Sequence, residues 1–110
     1  MDFKMKYIIN VQAIADELEF DLEDVEMIMD SFVQNFKINL ENMLLAIQTD
    51  NLEDVKLSAH AIKGSAQNIL LDDIGKLAKV IEDNARNRNT VNYLELYEEL
   101  KGLYKGLFFV

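Results

Sequence analysis

The chain has no cysteine, no proline and only four glycines among 110 residues. Without cysteine there are no disulfides, no thiolate metal sites and no thiol nucleophile, and the composition suits a reducing compartment. Proline and glycine normally punctuate sheets and turns, so their scarcity favours long helices joined by short polar turns. Positive charge is also scarce: 11 Lys and Arg against 20 Asp and Glu leave a net charge of -9. Such a chain gains nothing from counterion release on nucleic acid and is repelled by an anionic membrane surface. Neither nucleic acid nor membrane is expected as a partner. Long apolar runs are missing too. Met43-Leu44-Leu45-Ala46-Ile47 is among the longest, whereas a membrane span needs roughly 20 such residues. Met1 to Asn10 mixes Asp2, Lys4 and Lys6 with apolar residues and shows no signal-peptide core. A soluble cytoplasmic protein is expected.

Half of the residues are apolar and 28% are charged, so a core and a solvated surface can both form. The length suits one domain over residues 1–110. Apolar spacing at three and four residues marks five helical stretches. The first is short, around Val11 to Leu18. The second runs from about Leu22 to Gln48, with Asp21 as N-cap, Glu23, Asp24 and Glu26 at the positive end of the dipole, and a stripe of Val25, Met29, Phe32, Phe36, Leu40, Met43 and Ile47. The third runs from about Asn51 to Leu70, with Asp50 and Glu53 at capping-box spacing and Leu52, Val55, Ala59, Ile62, Ala66 and Ile69 facing inward. The fourth runs from about Asp73 to Arg86, with Ile74, Leu77, Ala78, Ile81 and Ala85 facing inward. The fifth runs from about Val91 to Leu107, capped by Thr90 or Asn89, with a stripe of Val91, Leu94, Tyr97, Leu100, Tyr104 and Leu107. Short turns between long amphipathic helices force antiparallel neighbours. The expected fold is all-α: an up-down-up-down antiparallel four-helix bundle with a short additional N-terminal helix.

His60 is the single histidine. At 100° per residue it lies about 130° from the centre of its helix's core stripe, which predicts an exposed imidazole. A lone surface histidine is ordinarily just solvated, but its neighbours add meaning. Lys63 and Gly64 follow at three and four residues, one turn along on the same side. A cation there can pair with negative charge carried by the imidazole. A mid-helix glycine costs about 1 kcal/mol relative to alanine, and an exposed one has no packing reason for that cost. Its missing side chain would let another protein's backbone approach the ring; a tolerated helix defect is the plainer alternative. Gln67 falls on the His60 side and could hydrogen-bond the ring or a phosphoryl oxygen, while Ser65 points more sideways.

Ser58-Ala59-His60-Ala61-Ile62-Lys63-Gly64-Ser65-Ala66 closely resembles the signature of histidine-containing phosphotransfer domains, A-H-x-x-K-G-[SA]-[SA], on a helix of a four-helix bundle. The motif covers under a tenth of the chain. Length, acidic character, the long second helix and the fourth-helix run through Leu77 and Glu82 also fit. The resemblance implies that His60 is phosphorylated, that Lys63 neutralises the phosphoryl group, and that Gly64 leaves room for a receiver domain. Many members of that family carry a glycine about ten residues after the histidine, where this chain has Leu70, so the following turn is open to question.

The chemistry asks little of such a module. An ordinary imidazole, with a pKa of about 6.5, is largely neutral at pH 7 and can act as a nucleophile. Phosphoryl transfer rests on positioning and charge neutralisation. No Gly-rich ATP loop is present, so self-phosphorylation is not expected. The implied partners are a response-regulator receiver domain, which would supply the aspartate and Mg²⁺, and a histidine kinase or hybrid kinase. No cofactor or metal is expected on this chain, and a monomer is expected. Leu57 and Ala61 flank His60 and are candidates for partner binding. Met27, Ile38 and Leu45 form a second apolar line on the second helix, and cover by the N-terminal helix or the C-terminal tail is the slightly preferred expectation for it. The apolar tail Leu107-Phe108-Phe109-Val110 either packs across the bundle or marks a cut from a longer kinase. The rival function is a helical adaptor that binds a partner without chemistry. A metal-bound bundle is disfavoured, because His60 lacks a Glu-x-x-His partner set and Asp72-Asp73 make no calcium loop.

Overall fold

The computed structural model describes residues 7–110. The reading of Asp2, Lys4 and Lys6 therefore lies outside the described residues. Five helices follow in order: α1 (Val11–Leu18), α2 (Leu22–Gln48), α3 (Leu52–Asn68), α4 (Asp72–Arg86) and α5 (Tyr93–Lys105). Two short strands, β1 (Tyr7–Ile9) and β2 (Leu107–Phe109), flank them. Helix α2 packs on α3 and α5, and α4 packs on the same two, which closes a four-helix bundle; α1 lies against α2.

The core is the set of stripes read from the sequence, with shifts at the ends. Val25, Met29, Phe32, Phe36, Leu40 and Met43 of α2 are buried, but Ala46 takes the inward place expected of Ile47, which is only half-buried. Val55, Ala59, Ile62, Ala66 and Ile69 are buried around α3, with Leu52 half-buried. On α4 the inner face includes Gly75 and Glu82 beside Ile74, Ala78, Ile81 and Ala85, while Leu77 is half-buried. Rings of Phe36 and Tyr104 meet edge to face at 5.2 Å, tying α2 to α5.

Helix starts differ from expectation at two places. Asn51, not Asp50, caps α3, its side chain accepting from the N–H of Asp54. Asn92, not Thr90 or Asn89, caps α5, accepting from the N–H of Glu95. Val91 and Leu94 are accordingly exposed, and the fifth stripe is buried at Tyr97 and Leu100. Asp21 does precede α2 but makes no side-chain capping bond.

The reason for the first shift lies in how the helices end. Glu19, Asp50, Leu70 and Arg88 all adopt the left-handed conformation, with φ of 57°, 52°, 63° and 56°. After α2 the N–H of Asn51 bonds the carbonyl of Ala46 and that of Asp50 bonds Ile47. After α3, Leu71 bonds Ala66 and Leu70 bonds Gln67; after α4, Asn89 bonds Asn84 and Arg88 bonds Ala85. These paired bonds define the Schellman motif, whose left-handed position is usually glycine. Here no glycine has positive φ. Asp50 is consumed by the end of α2 and cannot cap α3. The turn after α3 forms with Leu70 in the glycine's place.

The tail does not pack across the bundle. β2 pairs in parallel with β1, Leu107 opposite Tyr7 and Phe109 opposite Ile9. The ribbon is continued by Val110, which donates to Ile9 and accepts from Val11. Met27, Ile38 and Leu45 are exposed, contrary to the expected cover. The tail is engaged with β1, and α1 buries Val11, Ile14 and Ala15 elsewhere. Among the described residues no helix is long and apolar enough to cross a membrane.

Candidate functional site

The site is built across the α3–α4 contact. The facing surfaces carry small residues, Ala59 and Ala66 on α3 and Gly75, Ala78 and Ala85 on α4. Interaxial distance follows side-chain size at the contact, so these helices approach closely. At Gly75 a methyl group would come within 3.2 Å of Cγ of Gln67. The side chain of Gln67 thus lies over α4 at Gly75, and the imidazole's partner is a different residue.

That partner is Glu82. Its carboxylate is only 1% exposed, yet it reaches the surface pair on α3. Oε2 lies 2.5 Å from Nδ1 of His60, and Oε1 accepts from Nζ of Lys63 at 2.5 Å. Nη2 of Arg86 donates to Oε2 at 3.1 Å. The His60 side chain is 63% exposed and that of Lys63 19%. Nε2 of His60 has no hydrogen-bond partner among the described residues.

Burial pushes the Glu82 carboxyl upward, but hydrogen bonds and charge from Lys63 and His60 outweigh it and hold the group below its ordinary value. Glu82 is therefore a carboxylate at neutral pH. A carboxylate only accepts, so the short contact to Nδ1 requires a proton on that nitrogen. In the neutral ring this leaves the lone pair on Nε2, pointing to solvent. The buried acid thus fixes both orientation and tautomer.

Gly64 faces open space: a methyl group there would meet no atom within 4 Å beyond its own helical turn. Leu57 is exposed, and Ala61 and Ser65 are half-buried on the same helix. The structure therefore brings His60 and Lys63 together on Glu82 and leaves clear space one turn on. A groove of about 460 Å³ between α2 and α3 is lined by Leu45, Ala46, Leu57 and Ser58 with Asn39 and Thr49. It joins the exposed Leu45 of the second-helix line to Leu57 beside the histidine. No three His, Asp or Glu side chains converge as a metal set among the described residues.

The family model described as Hpt domain matches residues 27–107, well over half of the chain. The chain belongs to the Hpt domain family. Hpt domains are histidine phosphotransfer modules of phosphorelays, and the five-helix structure is consistent with their helical bundle. No curated protein and no solved structure matches the chain. The matched segment contains α3, α4 and all four groups of the Glu82 cluster.

In the sequence, Glu82 stands only in a run that fits the Hpt pattern, and spacing alone assigns it no role. A signal was available. Glu82 stands four residues after Ala78 and three before Ala85, an acid in an otherwise apolar stripe. A buried charge demands partners, and His60 and Lys63 were the ones at hand on the neighbouring helix.

Proposed function

We propose that this protein passes a phosphoryl group between Nε2 of His60 and an aspartate of a response-regulator receiver domain. The observation that carries the reading is the division of labour on one ring: Nδ1 is held by buried Glu82 while Nε2 stands free in solvent.

In the forward step the Nε2 lone pair attacks the phosphorus of the receiver's aspartyl phosphate. The P–O bond breaks and the aspartate leaves as a carboxylate with the electron pair. The ring, protonated on Nδ1 and now bonded to phosphorus through Nε2, becomes cationic. Glu82 stabilises that developing charge in place, as a preorganised countercharge does. Lys63 neutralises the phosphoryl oxygens. Reversal returns the phosphoryl group to an aspartate and the ring to neutrality. Gly64 leaves room for the receiver's loops, and Leu57 and Ala61 offer apolar contact beside the ring. The receiver brings Mg²⁺, and a histidine kinase or hybrid kinase feeds the relay. A cytoplasmic setting fits a chain without cysteine.

The test mixes the protein with phosphorylated receiver domains and Mg²⁺. Acid-labile, base-stable label on the wild type and none on His60→Gln is the expected result. An unlabelled wild type across several receivers would overturn the reading in favour of a binding-only adaptor.

A further inference from the structure

Arg86 is the one cation of the cluster that takes no part in the transfer step. Its placement is unusual. A guanidinium presents a planar fork that suits both oxygens of one carboxylate, but here the fork is divided. Nη2 holds Oε2 of Glu82 at 3.1 Å and Nη1 lies 3.4 Å from Oδ1 of Asp83. The hold on Asp83 is weak by distance, and Asp83 already has Nζ of Lys79 at 2.8 Å on its other oxygen. The Arg86 side chain is 53% exposed, so it has room to move.

Lys63 is in the opposite position. Its ammonium is engaged by Oε1 of Glu82 at 2.5 Å and is largely buried. A phosphoryl group on Nε2 brings close to two negative charges into the same space and competes for that ammonium. Lys63 can turn outward only if something else satisfies Oε1, because a buried carboxylate oxygen stripped of its donor is strongly disfavoured. Arg86 already sits on the neighbouring oxygen, and its second arm is only weakly committed.

On the phosphotransfer reading above, we propose that Arg86 is a relief cation: when His60 is phosphorylated it swings its fork from Asp83 onto both oxygens of Glu82 and releases Lys63 to the phosphoryl group. Asp83 keeps Lys79, so the swing strands no charge. No covalent bond changes in this step. Arg86 acts through Glu82 and is a positioning residue. Lysine cannot fully replace it, because an ammonium is a point charge without a fork.

The test loads the full chain with phosphoramidate, a small donor that needs no partner protein, and follows the Lys63 side chain by ¹³C and ¹⁵N NMR. In the wild type the Lys63 signals are expected to shift on phosphorylation. In Arg86→Gln the shift should be lost, with Lys63 remaining on Glu82, and in Arg86→Lys it should be partly recovered. Circular dichroism establishes that each variant is folded, and Arg86→Lys keeps the charge should Arg86→Gln lose structure. A Lys63 shift of wild-type size in phosphorylated Arg86→Gln overturns the proposal while leaving phosphotransfer intact. Failure of the wild type to form phosphohistidine overturns both.

Discussion

Oε2 of Glu82 lies 2.5 Å from Nδ1 of His60, across the α3–α4 interface and twenty-two residues away in sequence. This contact turns an exposed histidine into one with a fixed tautomer. It predicts that Glu82→Gln damages function more than fold. An amide can accept from Nδ1 through its oxygen but carries no charge to match a cationic ring. Transfer to and from a receiver should fall by about 10- to 100-fold, the scale seen when the partner orienting a metal-bound imidazole is removed. Imidazole ¹⁵N shifts of the unphosphorylated protein should at the same time show Nδ1 losing its dominance as the protonated nitrogen. Unchanged transfer would mean that Glu82 serves packing alone.

Acid stability follows from the same carboxylate. Its pKa lies below the ordinary 4.5 in the folded protein, because Lys63 and His60 outweigh the effect of burial. A depressed carboxylate contributes stability that is present above the unfolded pKa and is lost as pH falls through the folded one. Urea unfolding followed from neutral pH into the acid range should therefore show stability dropping below the ordinary carboxylate pKa. In Glu82→Gln that contribution to the acid limb should be missing. If both proteins lose stability in parallel on acidification, other carboxylates carry the effect.

Lys63→Met probes the partner on the other oxygen. It leaves Oε1 of a nearly fully buried carboxylate without the donor at 2.5 Å. Leaving a buried polar group unsatisfied costs about 1–3 kcal/mol, and more when the group is charged, but Arg86 can recover much of that by moving onto the vacated oxygen. Destabilisation near the lower end of that range is expected. In Lys63→Met/Glu82→Gln the penalty should shrink, since no buried charge remains; a double-mutant cycle by urea unfolding measures the coupling.

What could be read from the sequence was what repeats locally. The stripes of α2 and α3 follow from spacing alone, and the exposure of His60 follows from its angle to Val55, Ala59 and Ile62. The helix ends were harder, because the usual punctuation is misplaced. Leu70 and Arg88 occupy left-handed positions where glycine normally stands, while Gly64 and Gly102 sit inside helices. The β1–β2 pair gave no local sign, since two three-residue strands joined only through the whole chain are a long-range event. Glu82 was legible as an anomaly in its stripe, but its partners lie on another helix, and spacing within one helix cannot name them.

Gly64 and Gly102, two of the three glycines inside helices, separate function from stability. Neither Gly64 nor Gly102 would bring a methyl group within 4 Å of other atoms, so alanine at either should stabilise its helix by up to about 1 kcal/mol. Gly102→Ala should leave phosphotransfer intact. Gly64→Gln should leave the fold as stable as the wild type or more so, yet block transfer from a receiver by filling the space beside His60. Chemical loading by phosphoramidate, which needs no protein approach, should survive. Equal receiver transfer in Gly64→Gln and wild type would remove the close-approach explanation for this glycine.

The left-handed helix ends carry a prediction that inverts the usual ranking of small residues. Alanine normally costs less than glycine wherever the backbone has ordinary φ, because glycine has more freedom to lose. At φ of 63° and 56°, Leu70 and Arg88 bear the steric cost of a Cβ near the following carbonyl, about 1–2 kcal/mol for an L-residue. Alanine keeps that cost and glycine removes it. Leu70→Gly should therefore be more stable than Leu70→Ala by about 1 kcal/mol, although both lose the exposed leucine side chain. Arg88 is exposed, so Arg88→Gly should exceed even the wild type. Asp50, at φ of 52°, should gain least, since aspartate tolerates this conformation better than other side chains. Urea unfolding of the three pairs tests the ordering. If alanine matches or exceeds glycine at Leu70 and Arg88, the left-handed ends are not strained, and the sequence has no reason to want glycine there.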